Sequence, residues 1–178
     1  MSDALPVPHA IRDLLLGTAC VGCGRPGTAL CSPCAESLDP HPAPAWPSPA
    51  PPGLSEPWAA TAYAGTVRAM VLGHKERRML GLAGPLGDLL ALALHHALAA
   101  LVCGPGDPAP LVLVPVPSRP GTVRQRGHDP TTSLVRFAAA RLTHEGHPAS
   151  CVRLLRTRRG VEDQSGLDAP ARARNLAG

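Results

Sequence analysis

Four cysteines near the start of this chain, Cys20, Cys23, Cys31 and Cys34, form two C-x2-C pairs, and no other feature restricts the fold as tightly. Each pair makes a turn that can aim two thiolates at one point. Two such turns complete a tetrahedral, all-sulfur shell with no open position for a substrate. The spacing therefore predicts a structural zinc site that holds a small module together and does no chemistry itself. Gly22 and Gly24 fall where the first knuckle needs a permissive backbone, and Pro33 shapes the second. The alternative is two disulfides or free thiols. No secretory signal precedes the cysteines: residues 1–17 carry Asp3, Asp13 and a single base, Arg12, beside a short apolar stretch, Leu14 to Leu16. That favours a reducing cytoplasm, where disulfides are rare. Cys103 and Cys151 stand alone and are expected to be buried as small hydrophobes.

A chain of 178 residues has room for one sizeable core plus a small metal-stapled module that could not bury enough surface unaided. The expected organisation is a zinc finger over residues 1–39, a proline-rich linker over 40–57 and a larger domain over 58–178. Eight prolines among the eighteen residues Pro40 to Pro57 predict an extended, semi-rigid spacer. Beyond it, WAATAY from Trp58 to Tyr63 reads as a short strand. Gly65 then opens an amphipathic helix carrying Val67, Met70, Val71 and Leu72, and a second helix runs from Pro85 to Val102. The apolar run Leu89 to Val102 is interrupted by His95-His96 and is shorter than a bilayer core demands, so no membrane span is expected. The two histidines are expected on the wetter edge of that helix.

Leu111 to Val114 is a fully apolar strand of the kind buried on both faces of a parallel sheet, and it ends in Pro115-Val116-Pro117. Ligands of open α/β sheets collect at that carboxyl edge. The chain continues there into a loop, SRPGTVRQRGHD, bearing Ser118, Arg119, Arg124, Arg126 and Gly127, and then a helix capped by Asp129 with Pro130 in its first turn. Arginine forks, a hydroxyl, a glycine backbone and a helix N-terminus can together hold phosphate oxygens. The same loop can equally be a plain strand-to-helix connection. Charge points the same way as the loop: residues 119–178 hold eleven Arg against five acids, whereas residues 1–118 hold six bases against eight acids. A positive C-terminal half suits phosphates on a small ligand or on nucleic acid. With Trp46, Trp58, Tyr63 and Phe137 the only aromatics, a base-stacking platform for single strands is poorly supported.

In order and approximate spacing, Tyr63-x-Gly65, Lys75, the Val114-Pro115-Val116-Pro117 strand end, Arg126-Gly127, Gln164-x-x-Leu167 and Arg172-x-Arg174-Asn175 resemble the ComF family. These are phosphoribosyltransferase-like proteins with an N-terminal four-cysteine zinc finger, linked to natural competence and DNA uptake. The resemblance spans nearly the whole chain. It implies a type I phosphoribosyltransferase-like parallel sheet with flanking helices, holding phosphoribosyl pyrophosphate or a similar sugar phosphate. It also implies phosphate contacts from Lys75, Ser118, Arg119, Arg124, Arg126 and Gly127, with Tyr63, Gly65, Pro115, Pro117, Gln164, Arg172 and Asn175 as further motif positions. Structural Zn2+ would be one cofactor, and Mg2+ would accompany the diphosphate. Single-stranded DNA or a DNA-uptake helicase are the other partners implied, and the cytoplasm the location.

Two departures stand out. His128, Asp129 and Pro130 replace the aromatic, Asn and Gln that usually come after Arg-Gly, and an acid at 129 repels nearby phosphate. The family's apolar strand, paired acids and Thr-Thr-Gly loop, which hold the ribose and 5-phosphate, have no counterpart up to Gly178. On that basis the chain by itself is expected to be incomplete at its C-terminus, inactive as a transferase and marginally stable outside the zinc module, with an unpaired sheet edge.

Overall fold

The computed structural model describes residues 18–101, 109–157 and 168–176. Its elements run α1 (Ser32–Glu36), β1 (Ala43–Pro44), β2 (Trp58–Ala59), α2 (Gly65–Glu76), a 3-10 turn (Leu80–Leu82), α3 (Ala83–Leu101), β3 (Leu111–Leu113), α4 (Pro120–Arg126), α5 (Pro130–His144), β4 (Ala149–Cys151) and α6 (Ala169–Leu176). The architecture is mixed helix with two small sheets and a four-cysteine cluster near the N-terminus.

The apolar spacing of α2 and α3 does what an amphipathic pattern should. Met70 of α2, Leu82 of the 3-10 turn and Leu86 in the first turn of α3 are fully or nearly buried, and Ala29 from the cysteine module packs into the same cluster, joined by Val21, Leu30 and Leu38. The cysteine module and the helices thus share one core. The linker prolines do not run straight: Ala43 pairs antiparallel with Ala59 and Pro44 with Trp58. The Ala45 amide donates to the Pro57 carbonyl at 2.7 Å. A left-handed Gly53 helps the chain double back, so the expected spacer is a closed loop. The strand expected over Trp58 to Tyr63 is only its first two residues.

Helix α3 is the central beam. With the preceding 3-10 turn it forms a 22-residue helical stretch, Leu80–Leu101, long and apolar enough to cross a bilayer. This revises the length expected from the interrupted apolar run, because His95 and His96 mark the helix's exposed edge without breaking it. Its other face packs on α5. The two backbones approach at Gly87, where a Cβ would lie 2.4 Å from the Cβ of Phe137 and 3.2 Å from the Ala138 amide. Ala91, Ala138 and Leu142 are buried in that interface, and Leu90, Leu94, Leu111, Leu113 and Ala149 close around them.

Beneath these helices β3 and β4 pair in parallel, with Leu111 opposite Ala149, Val112 opposite Ser150 and Leu113 opposite Cys151. The parallel pairing matches expectation, but burial on both faces does not. Leu111, Leu113 and Ala149 face the helices, whereas Val112 is 54% exposed. Among the described residues only one face of this two-stranded sheet is covered, since both packed helices lie on the same side. Cys151 is half-buried, and Cys103 lies outside the described residues.

Candidate functional site

The cysteine centre is built by two short turns. In the first, the Cys20 amide donates to the Arg25 carbonyl at 2.8 Å and the Gly24 amide returns to the Cys20 carbonyl at 2.8 Å, with Gly24 left-handed at φ 76°. The second runs into α1, where Pro33 occupies the first turn behind an extended Cys31. Gly22 lies so close to the second knuckle that a Cβ would sit 2.8 Å from the Cys34 sulfur, so the two turns meet only because that position has no side chain.

The four sulfurs all lie within 4.8 Å of one another. Cys31 Sγ is 3.6 Å from both Cys20 Sγ and Cys23 Sγ. A disulfide requires about 2.05 Å, whereas a tetrahedron with arms of about 2.3 Å has edges of roughly 3.8 Å. All four are free cysteines, and their separations fit a metal ion shared by four sulfurs. Their acidities diverge. Burial alone would raise the Cys20 thiol, but amides of Cys23, Cys31 and Gly22 outweigh it and bring its pKa down to about 6. Cys34, crowded by the sulfurs of Cys31 and Cys23, is pushed up to about 12. The protein thus favours the Cys20 thiolate and disfavours that of Cys34, and a cation shared by the sulfurs is what would let these two ionise together. An all-thiolate donor set of this size is compatible with structural zinc.

The proposed phosphate residues separate into two groups. Lys75 lies in the last turn of α2 and Arg126 ends α4, and they meet at Glu76, the last residue of α2. Arg126 Nη2 donates to both Glu76 carboxylate oxygens, at 2.8 and 2.7 Å, and Lys75 Nζ lies 3.9 Å away from the same group. Gly127, left-handed at φ 71°, closes α4, and the Arg78 guanidinium lies against it, 3.1 Å from where a Cβ would be. The expected loop is therefore largely helix α4, with Pro120 in its first turn and Arg124 and Arg126 in its last. Bases at a helix C-terminus suit its dipole.

Ser118 belongs to a different cluster. Its hydroxyl donates to Asp129 Oδ1 at 3.1 Å, and the same carboxylate accepts the Thr132 amide at 3.2 Å and the Thr132 hydroxyl at 2.8 Å. Asp129 thus caps α5 as its sequence position predicts. Partial burial would raise its pKa. The bonds from Thr132 and Ser118, aided by the positive charge of Arg153, outweigh burial and hold it below the usual carboxylate value. The helix N-terminus already carries an anion of its own. Arg119, the residue preceding α4, is partly buried and engaged in an interaction of its own. Arg124 is exposed.

The remaining motif positions are dispersed. Tyr63 is 59% exposed and Gly65 begins α2. Pro115 is buried and Pro117 half-buried beyond β3. Arg172 and the half-buried Asn175 are on α6, whose first turn is capped by Asp168 accepting the Ala171 amide at 2.7 Å. Gln164 lies outside the described residues.

Four residues around the junction have no assigned role in the sequence reading: His74, Glu76, Arg78 and His128. His74 is 1% exposed, and neither ring nitrogen has a hydrogen-bond partner. The His128 ring meets it edge-on at 5.3 Å, with Nε2 3.0 Å from the His74 carbonyl. Burial lowers the His74 pKa, weakly opposed by the nearby backbone of Met79 and Pro130. The run His74-Lys75-Glu76-Arg77-Arg78 is the one sequence signal that points here.

Comparison with models of protein families, with curated proteins and with solved structures finds no match to this chain.

Proposed function

We propose that this chain is a metal-stapled, phosphoribosyltransferase-like protein of the ComF type. In this reading it binds phosphoribosyl pyrophosphate or a related sugar phosphate in the cytoplasm, in the service of DNA uptake or nucleotide salvage. The observation that carries the proposal is a conjunction. A closed four-sulfur centre shares a core with a helical body over a parallel strand pair, and the first of those strands is followed by Val114-Pro115-Val116-Pro117 and leads to the arginines of α4. Zinc would hold the first part together. Lys75 and Arg126, brought to one point by α2 and α4, would supply positive charge to a departing diphosphate, and Mg2+ would arrive with that ligand.

The test is calorimetric titration with phosphoribosyl pyrophosphate and Mg2+ of the zinc-loaded protein expressed from its complete natural reading frame. Saturable binding weakened by Arg126→Gln supports the proposal. Absence of binding overturns it, as would preferential binding of single-stranded DNA with an affinity falling steeply with salt. One observation favours a second reading, docking of a protein partner such as a DNA-uptake helicase. The outer side of the strand pair and the segments leaving it expose Val112, Val116 (72%) and Leu154 (66%), an apolar surface of the kind that partners cover.

A further inference from the structure

The junction of α2 and α4 concentrates charge. The last turns of α2 and α4 and the two residues after α2 carry Lys75, Arg77, Arg78, Arg124 and Arg126 against one acid, Glu76, an excess of four along these segments. Of these, Lys75, Arg78 and Arg126 gather at Glu76 and Gly127, while Arg77 turns back to the Ala69 carbonyl. Two helix C-termini converge at the same place and contribute about half a negative charge each. That is too little to cancel the excess. The charges are also unevenly engaged. Arg126 is held bidentately by Glu76. Among the described residues, no hydrogen bond or ion pair holds the guanidinium of Arg78, which rests on the bare backbone of Gly127.

The backbone of Arg78 is itself unusual. At φ 54° it is the one left-handed residue other than glycine among those described. The turn it makes lets the Met79 amide bond back to the Gly73 carbonyl at 3.1 Å and end α2. Such a turn favours glycine and has no use for an arginine. Gly127 supplies the complementary feature, because any side chain there would displace the guanidinium. A strained residue keeping an unengaged charge beside a bare backbone is the arrangement of a ligand clamp.

We propose that this junction is a diphosphate-binding site in which Arg78 is the open arm, Lys75 and Arg126 are the fixed base, and the Glu76 carboxylate is a built-in competitor that an incoming diphosphate displaces from Arg126. A carboxylate and a phosphate offer a guanidinium the same kind of charged oxygen acceptors, so Glu76, both of whose oxygens accept from Arg126 Nη2, occupies in the free protein contacts the ligand would take. Both lie on the surface, with Glu76 44% and Arg126 22% exposed, so exchange needs no opening of the core. The proposal rests on the sugar-phosphate reading for its ligand class, but its residues and its test are separate.

The experiment is titration of the full chain, loaded with zinc, with inorganic pyrophosphate, for the wild type, Glu76→Gln and Arg78→Gly. Removing the competing charge is expected to tighten binding about threefold to tenfold. Arg78→Gly is expected to weaken it about tenfold, as befits loss of one charge-assisted contact. Its unfolding midpoint should be unchanged or raised, since glycine relaxes the left-handed turn. A structural role alone for Arg78 could not separate those two readouts. Equal affinity for all three proteins overturns the site, as does absence of saturation for both wild type and Glu76→Gln. Pyrophosphate behaving as expected while phosphoribosyl pyrophosphate fails to compete would leave the site standing and remove the sugar-phosphate reading. An oligonucleotide binding tighter than pyrophosphate, with Arg78-dependence, would overturn the small-ligand assignment.

Discussion

The cysteine centre and the basic junction are assembled in opposite ways. All four sulfurs come from residues 20 to 34 and are aimed by their own turns, so the spacing alone carries the geometry. The junction joins residues fifty positions apart, Glu76 and Arg126, and its geometry depends on how α2, α4 and α5 pack. The first could hold a metal ion at its centre, shared by all four sulfurs. In the second, a partly exposed ion pair, Glu76 with Arg126, joins the end of α2 to the end of α4, a short helix that buries no side chain of its own. Removal of the central component should therefore be ruinous in one region and mild in the other.

Metal removal is the largest expected effect. Structural zinc contributes on the order of 10 kcal/mol to modules of this size, and Ala29, packed with Met70, Leu82 and Leu86, ties this one to the helical core. Chelation, or Cys31→Ser, is expected to abolish the cooperative unfolding of the module and lower the thermal midpoint of the rest, with the chelated protein recovering on return of Zn2+. A midpoint indifferent to chelator would mean that the turns stand without a metal and would erase the contrast.

Next in size is the crossing of α3 and α5. Gly87→Ala places a methyl 2.4 Å from Phe137 Cβ and 3.3 Å from the Leu134 carbonyl. Both belong to a neighbouring helix and cannot swing away, so the helices must separate, at about 1–3 kcal/mol. Gly84→Ala on the same helix is the control. There the nearest atom is a Phe137 ring carbon at 3.9 Å, and the gain in helix propensity, roughly 0.5–1 kcal/mol, is expected to stabilise. Urea midpoints of the two variants should move in opposite directions.

The same distinction between local and assembled features explains which parts of the molecule are legible in its sequence. Cys20 to Cys34, the Asp129 cap and the starts of α2 and α3 are decided within a few residues, and each can be read directly. The closed loop made by Ala43–Pro44 against Trp58–Ala59, the shared core of cysteine module and helices, and the exposed side of β3 depend on partners distant in the chain. An apolar strand such as Leu111 to Val114 shows that a residue can be buried, but not whether a helix exists to bury it. In sequence Ser118 groups with the arginines because it precedes them. In the fold it turns to Asp129, since a carboxylate at a helix N-terminus is the better partner for a hydroxyl.

Acid should expose a third difference. The folded pKa of His74 lies below its ordinary value of 6.5 because the ring is buried, so the unfolded chain takes up its proton first and stability falls as the pH drops through that value. The folded pKa of Asp129 is depressed below 3.8, so its contribution is complete above that pH and disappears as the pH falls further. Urea midpoints measured from neutrality downward should decline in two stages. His74→Leu should remove the upper stage alone, and Asp129→Ala the lower, with a loss of about 1 kcal/mol at neutral pH from the missing cap. A single late decline, the same in both variants, would mean that neither group reports on folding.

The smallest effect is expected at the ion pair itself. Glu76 and Arg126 meet at 2.7 Å, but both remain partly in water. Exposed pairs of this kind contribute about 0.2–1 kcal/mol. A double-mutant cycle of Glu76→Gln and Arg126→Gln should give a coupling in that range, shrinking as ionic strength rises from about 0.05 to 0.5 M because the screening length shortens. This modest value is what a site open to ligand exchange requires: a carboxylate held by many kcal/mol could not be displaced by a phosphate in water. A coupling above about 2 kcal/mol and insensitive to salt would place the pair among buried structural contacts. The junction would then be a second staple, held by charge as the first is held by sulfur, and Glu76 would not exchange with a ligand.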